Sequence, residues 1–341
     1  MTATGTPREV VLAHLRGDPV DRIPAMPITM MFAARLAGVP YRSYCEDWRI
    51  LVDAQTRVAE RFGFDHVSCI SDPTREAADL GARLAWFPDQ PPAMVEQEAL
   101  LADPAVLARL TPPDPAAGGR MTDRLRAAEA LRAGPGATRL VEGWVEGPCA
   151  EAADLRGIGT LMTDFSDDPA FVDDLFGFCT ETAIAFARAQ VDAGIDIVGV
   201  GDAAASLVGP AIYEEVVLPH ERRLVDAIHA AGALVRLHIC GNTSRSVAAM
   251  ASTGADIVDL DSPVDMAAAR AAAGSGQVLL GNLDPVGEVL RGTPASVETA
   301  TAQRHGAAGP RWIAGAGCEI PAATPHANVE ALVAYARSHR P

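Results

Sequence analysis

His238 and Cys240 stand two residues apart in an apolar run, and Cys318 follows 78 residues later in the chain. Residues i and i+2 of an extended strand point to the same face, so His238 and Cys240 can reach one metal ion together. An imidazole and two thiolates are borderline-soft donors that suit Zn²⁺, and three protein ligands leave a fourth position for substrate, as in catalytic zinc sites. The plainer alternative is a hydrogen-bonded core histidine with two small buried cysteines. Gly241 and Gly317, placed beside the cysteines where apolar runs end, favour the metal.

Other polar residues collect where apolar runs stop. Glu146, Asp202, Asn242, Asp261, Asn282 and Asp284 each follow such a run. If the runs are strands of one barrel, these ends share its C-terminal face, where such barrels carry their chemistry. Glu146, Asp202, Asn242, Asn282 and Asp284 are therefore expected to line a pocket around the metal. The competing role is helix capping, most of all for Asp284, which precedes Pro285. Asp259 and Asp261 alternate around Leu260, and Asp261 is the candidate for the fourth zinc position, as a hard oxygen ligand that an incoming thiol could displace. Capping beside Ser262, or orienting His238, is the alternative.

The elements that must position these residues are short β-rich runs alternating with longer helix-period stretches, the pattern of a parallel βαβ architecture. Eight strands are predicted, at 23–29, 65–71, 138–145, 195–200, 233–239, 257–260, 277–283 and 311–316, with helices such as 169–193 and 212–231 between them. The fold class predicted is α/β, a closed (β/α)8 TIM barrel. It is expected to form a single domain over 1–341, with an N-terminal helical extension at 1–20 and a helical insertion at 88–135, between the second and third strands.

The chain's 28 basic residues are all arginine, which removes Schiff-base lysine, lysine-held pyridoxal phosphate and the phosphate-loop lysine. With 44 acids the formal charge is −16, which argues against nucleic acid or an anionic membrane as partner. No run approaches the roughly 20 apolar residues of a membrane span, and Arg8, Glu9, Arg16 and Asp18 break up any signal peptide. Six cysteines in a chain this long are too sparse for a disulfide scaffold. A cytoplasmic protein is expected.

Three runs, Leu237-His238-Ile239-Cys240-Gly241-Asn242, Gly281-Asn282-Leu283-Asp284-Pro285 and Gly317-Cys318-Glu319-Ile320-Pro321, carry a resemblance to the uroporphyrinogen decarboxylase superfamily. Within it they resemble the zinc-dependent methylcobamide:thiol (coenzyme M) methyltransferases. Asp21-Arg22-Ile23-Pro24, Val145-Glu146-Gly147-Pro148 and Gly201-Asp202-Ala203 fit the same branch. The decarboxylase itself carries an Arg-Gln-Ala-Gly-Arg segment after its first strand. Here that stretch is the uncharged Ile28-Thr29-Met30-Met31-Phe32, with Arg35 the nearest cation, so a substrate with several carboxylates would lack partners.

The resemblance implies a zinc-dependent methyltransferase moving a methyl group between a corrinoid (methylcobalamin, usually on a partner corrinoid protein) and a thiol or other small methyl donor or acceptor. The acceptor and the direction stay open. The rival readings are a uroporphyrinogen decarboxylase-like enzyme, a metal-assisted hydrolase with Asp202 or Asp284 as base, and a non-catalytic zinc-bearing binding module.

Overall fold

The structure, a computed structural model, describes residues 5–341, so the first four residues of the expected N-terminal extension lie outside it. Its centre is a parallel sheet of β1 (His66–Ser68), β4 (Leu140–Glu146), β5 (Ile197–Gly201), β6 (Leu234–Ile239), β7 (Ile257–Leu260), β8 (Val278–Leu280) and β9 (Trp312–Ile313), paired in that order. Residues 24–26 close it into a TIM barrel. Met26 N donates to Ala314 O at 3.0 Å on one side, and Asp65 N donates to Ala25 O at 3.1 Å on the other.

The predicted strand at 23–29 is thus reduced to a single bridge, Ala25 to Ala314. Pro24 and Pro27 have no N–H to donate, so a continuous ladder cannot run through this segment. Asp65 replaces the missing order. Its carboxylate takes a two-pronged ion pair from Arg22 at 2.5 and 2.8 Å and the Ala25 N–H at 2.7 Å.

Between β1 and β4 the chain forms the helix Arg75–Asp79, the antiparallel hairpin β2 (Leu84–Ala85) and β3 (Ala93–Met94), short 3₁₀ turns and the helix Arg120–Ala133. The insertion expected at 88–135 to carry helices also holds β3 of this hairpin; its strands are two residues each, too short for periodicity to reveal. The predicted helix 169–193 forms as Pro169–Asp192, whereas that at 212–231 is regular only over Leu218–Ala231. Asp168 caps Pro169–Asp192 by accepting from Phe171 N, and Thr6 with Glu9 forms a capping box on Pro7–Arg16. No described helix is long and apolar enough to cross a membrane.

Alternation along the strands stacks the interior in layers. The lowest is apolar, with Met26, Leu140, Ile197, Ile257, Leu280 and Ile313 plugged from below by Val11. Above it lies a fully buried ionic layer in which Arg236 reaches Glu142 at 3.0 Å and Asp259 at 2.7 Å. Ile28, Ile70 and Trp144 form the layer above that, where the strands end.

Candidate metal centre

His238, next to last in β6, faces inward, and Cys240, just past the strand, follows it on the same side. His238 Nε2 lies 3.1 Å from Cys240 Sγ, and Cys240 Sγ lies 3.7 Å from Cys318 Sγ, with all three donors within 4.8 Å of one another. The sulfurs are too far apart for a disulfide, whose bond is about 2.05 Å. Two thiolates about 2.3 Å from one tetrahedral zinc stand roughly 3.8 Å apart, so the donor set fits that ion. All six cysteines are free, and the other four are buried among the core side chains.

Neighbouring strands hold each donor in place. Parallel register sets Asp259 of β7 beside His238, with Asp259 Oδ2 3.0 Å from Nδ1. A carboxylate beside Nδ1 favours the tautomer protonated there, which leaves Nε2 for a metal. Cys318 sits on the loop after β9, and the next residue, Glu319, accepts from the backbone N–H of Met30 at 3.0 Å and of Met31. Gly317 brings that loop close to the neighbouring one, for a Cβ there would lie 2.3 Å from Ser262 N. Hydrogen bonds from Cys240 and His238 pull the Cys318 thiol down to about 5, while the Cys240 thiol is pushed up.

These donors open into a cavity of about 170 Å³ at the C-terminal end of the barrel. Its wall is the apolar group Ile28, Met30, Ile70 and Trp144, and two acids, Asp72 and Glu146, also face it. Trp144 lies flat against β5, and only glycine fits there. A Cβ on Gly199 would stand 2.1 Å from the indole, and one on Gly201 2.9 Å. Glu146 accepts from Arg75 at 2.9 Å, and burial pushes its carboxyl well above the ordinary range.

Most of the other expected site residues belong to the framework. Asp261 is not in the donor set; its carboxylate accepts from the backbone N–H groups of Gly241 and Ser262, both at 2.6 Å, so it braces two loops. Asp202, one residue past the inward-facing Gly201, points the other way. It accepts from Ala150 N at 2.6 Å and Cys149 N at 3.4 Å, at the N-terminus of the helix Pro148–Arg156. Asn242 is exposed and closes a turn onto Ser244 N. Asn282 is buried and donates to Asp261 O and Val264 O. Asp284 caps the segment Pro285–Leu290 through Val286 N and Gly287 N.

Residues given no role from sequence also shape the site: Asp259 beside His238, Trp144 in the wall, Arg75 on Glu146, and the pair Arg120–Asp72. The signal available for Asp259 was its alternation with Asp261. The arginines come from outside the barrel strands and carried none.

The model of the uroporphyrinogen decarboxylase (URO-D) family matches residues 6–339. The chain belongs to this family. It is 31% identical over 349 residues to the methylcobamide:CoM methyltransferase MtbA of Methanosarcina mazei, covering 98% of each chain. Similarity to the uroporphyrinogen decarboxylase of Rhodococcus jostii is 30% identity over 77% of this chain and 73% of that one. Among solved structures, a methyltransferase from Methanosarcina mazei shares the fold with a TM-score of 0.89, at 22% identity over 97% of this chain and 98% of that one.

Proposed function

We propose that the protein moves a methyl group from a methylated corrinoid, carried on a partner corrinoid protein, to a small thiol, with zinc held by His238, Cys240 and Cys318. The chain is a methyltransferase of the URO-D family. One observation carries the finer reading: the three-donor cluster opens into a small apolar cavity at the active end of the barrel. About 170 Å³ admits a short thiol. The cavity is too small to enclose a tetrapyrrole or a corrin ring, which would have to approach from the mouth.

Zinc in this site lowers the pKa of a thiol, so that the sulfur is nucleophilic near neutral pH. The chain's own residues do the rest. Asp259 holds the His238 ring in place, and Ile28, Ile70 and Trp144 exclude water from the sulfur. Glu146, which faces the cavity from its pairing with Arg75, is the group placed to exchange the thiol proton. The carbon–sulfur bond forms as the carbon–cobalt bond breaks with its electron pair left on cobalt, so cobalt(III) becomes cobalt(I). Methyl thioether, reduced corrinoid and a proton result, and the same atoms in reverse demethylate a thioether. We place this reaction in the cytoplasm, where cysteines stay reduced, and assign it to residues 1–341 acting as one domain.

The test is anaerobic incubation of zinc-loaded protein with methylcobalamin and 2-mercaptoethanol, following the cobalt spectrum and the thioether by mass spectrometry. Reduced corrinoid and thioether are expected in equal amounts. Absence of transfer to any thiol, with porphyrinogen decarboxylation or hydrolysis instead, would overturn the reading.

A further inference from the structure

The charges around the cavity bear on which thiol it takes, an inference that rests on the methyl-transfer reading. Apart from the His238, Cys240 and Cys318 cluster, the ionisable side chains lining the cavity are Asp72 and Glu146, both acids. No arginine lines the cavity, and Arg75, Arg120 and Arg236 behind its wall are each paired with carboxylates. Arg75, fully buried, donates to Glu146 at 2.9 Å and lies 3.5 Å from Glu76. Arg120 grips Asp72 with two bonds, at 2.8 and 2.6 Å. Arg236 is held by Glu142 and Asp259, and its Cζ lies 5.9 Å from the ring centre of Trp144, which lines the cavity where Arg236 does not.

Zinc held by two thiolates and a neutral imidazole would add no net charge. An anionic headgroup inside the cavity would therefore lose its water with no cation to replace it, against apolar walls and two acids. A corrinoid lying across the mouth would cut a headgroup inside the cavity off from solvent. An ammonium group fares no better, because each lining acid already has its guanidinium.

We propose that the methyl acceptor of this cavity is a short uncharged thiol, and that thiols bearing sulfonate or carboxylate are discriminated against. The transferred bond is the one written above: carbon leaves cobalt for sulfur, the electron pair stays on cobalt, and the thiol proton is released.

The experiment compares 2-mercaptoethanol, 2-mercaptoethanesulfonate, 3-mercaptopropionate and cysteamine as acceptors for the zinc-loaded protein with methylcobalamin. The thermal shift each thiol gives without the methyl donor is the second readout. The uncharged thiol is expected to exceed each charged one at least tenfold in kcat/KM and to give the largest shift. Met30→Lys, at the half-buried rim of the cavity, is expected to narrow the gap to the sulfonate several-fold. Equal or better use of a charged thiol by the unaltered protein, or a Met30→Lys variant that folds and leaves the ratio unchanged, overturns the assignment while the reaction stands. Transfer to none of the four overturns the reaction and this assignment with it.

Discussion

Removing either sulfur from the His238, Cys240 and Cys318 set leaves two protein donors, fewer than the three or four that hold zinc in proteins. Cys240→Ala and Cys318→Ala are expected to fall from about one zinc per chain to near none, read by elemental analysis. Full retention in both variants would remove the site. The two acids of β7 and its following loop should behave oppositely. Asp259→Asn weakens the support of His238 and is expected to lower zinc affinity by about 10–100-fold, whereas Asp261→Asn should leave zinc content as it was. That His238 and Cys240 reach the same place was legible in sequence because a strand puts i and i+2 on one face. The choice between Asp259 and Asp261 was not, because it depends on the β6–β7 register that sets Asp259 beside His238, and on the backbone N–H groups that occupy Asp261.

Elements position the site through backbone spacing that a motif does not reveal. β4 and β5 run side by side with Trp144 opposite Gly199 and Glu146 opposite Gly201, and the indole fills the room the two glycines leave. Gly199→Ala forces that ring off the strand and is expected to cost about 1–3 kcal/mol in denaturant unfolding. It should also disturb the cavity wall, whereas Asp202→Ala should not. Loss of the Asp202 carboxylate removes acceptors from the N-terminus of the helix Pro148–Arg156, a change of about 0.5–2 kcal/mol if it behaves as a cap. Zinc content and methyl transfer should persist in that variant, and loss of transfer with zinc retained would return Asp202 to the chemistry. Strand positions could be read from apolar runs between turn signals, and so could the barrel. Their lengths could not, since Pro24 and Pro27 reduce the first strand to a bridge, and a two-residue hairpin leaves no periodicity.

Across the whole molecule, a net charge of −16 coexists with carboxyl groups buried beyond the reach of water. Glu151 is the extreme case, with 1% of its surface exposed and neither carboxyl oxygen partnered among the described residues. Burial, and then its acidic neighbours Glu76, Asp154 and Glu146, push its pKa well above the ordinary range, with Arg75 acting the other way. Burial and Glu76 raise Asp154 to about 8, and burial raises Asp202 to about 7. A carboxyl whose folded pKa is raised holds its proton in the folded state after the unfolded chain has lost it. Its contribution to stability is therefore whole below the unfolded pKa and declines as pH rises through the folded one. Asp72 has the opposite sign, since Arg120 pulls it down, and its contribution is lost only in acid. Stability should thus decline from pH 6 to 8, where the raised groups titrate and Asp72 stays ionised. Each such proton contributes a slope of at most about 1.4 kcal/mol per pH unit. Glu151→Gln keeps the shape of the side chain and removes one of these protons, so its unfolding free energy should fall less steeply over this window. Denaturant unfolding at pH 6, 7 and 8 decides the matter. Parallel profiles for the two proteins would mean that the Glu151 carboxyl does not keep its proton in the folded state.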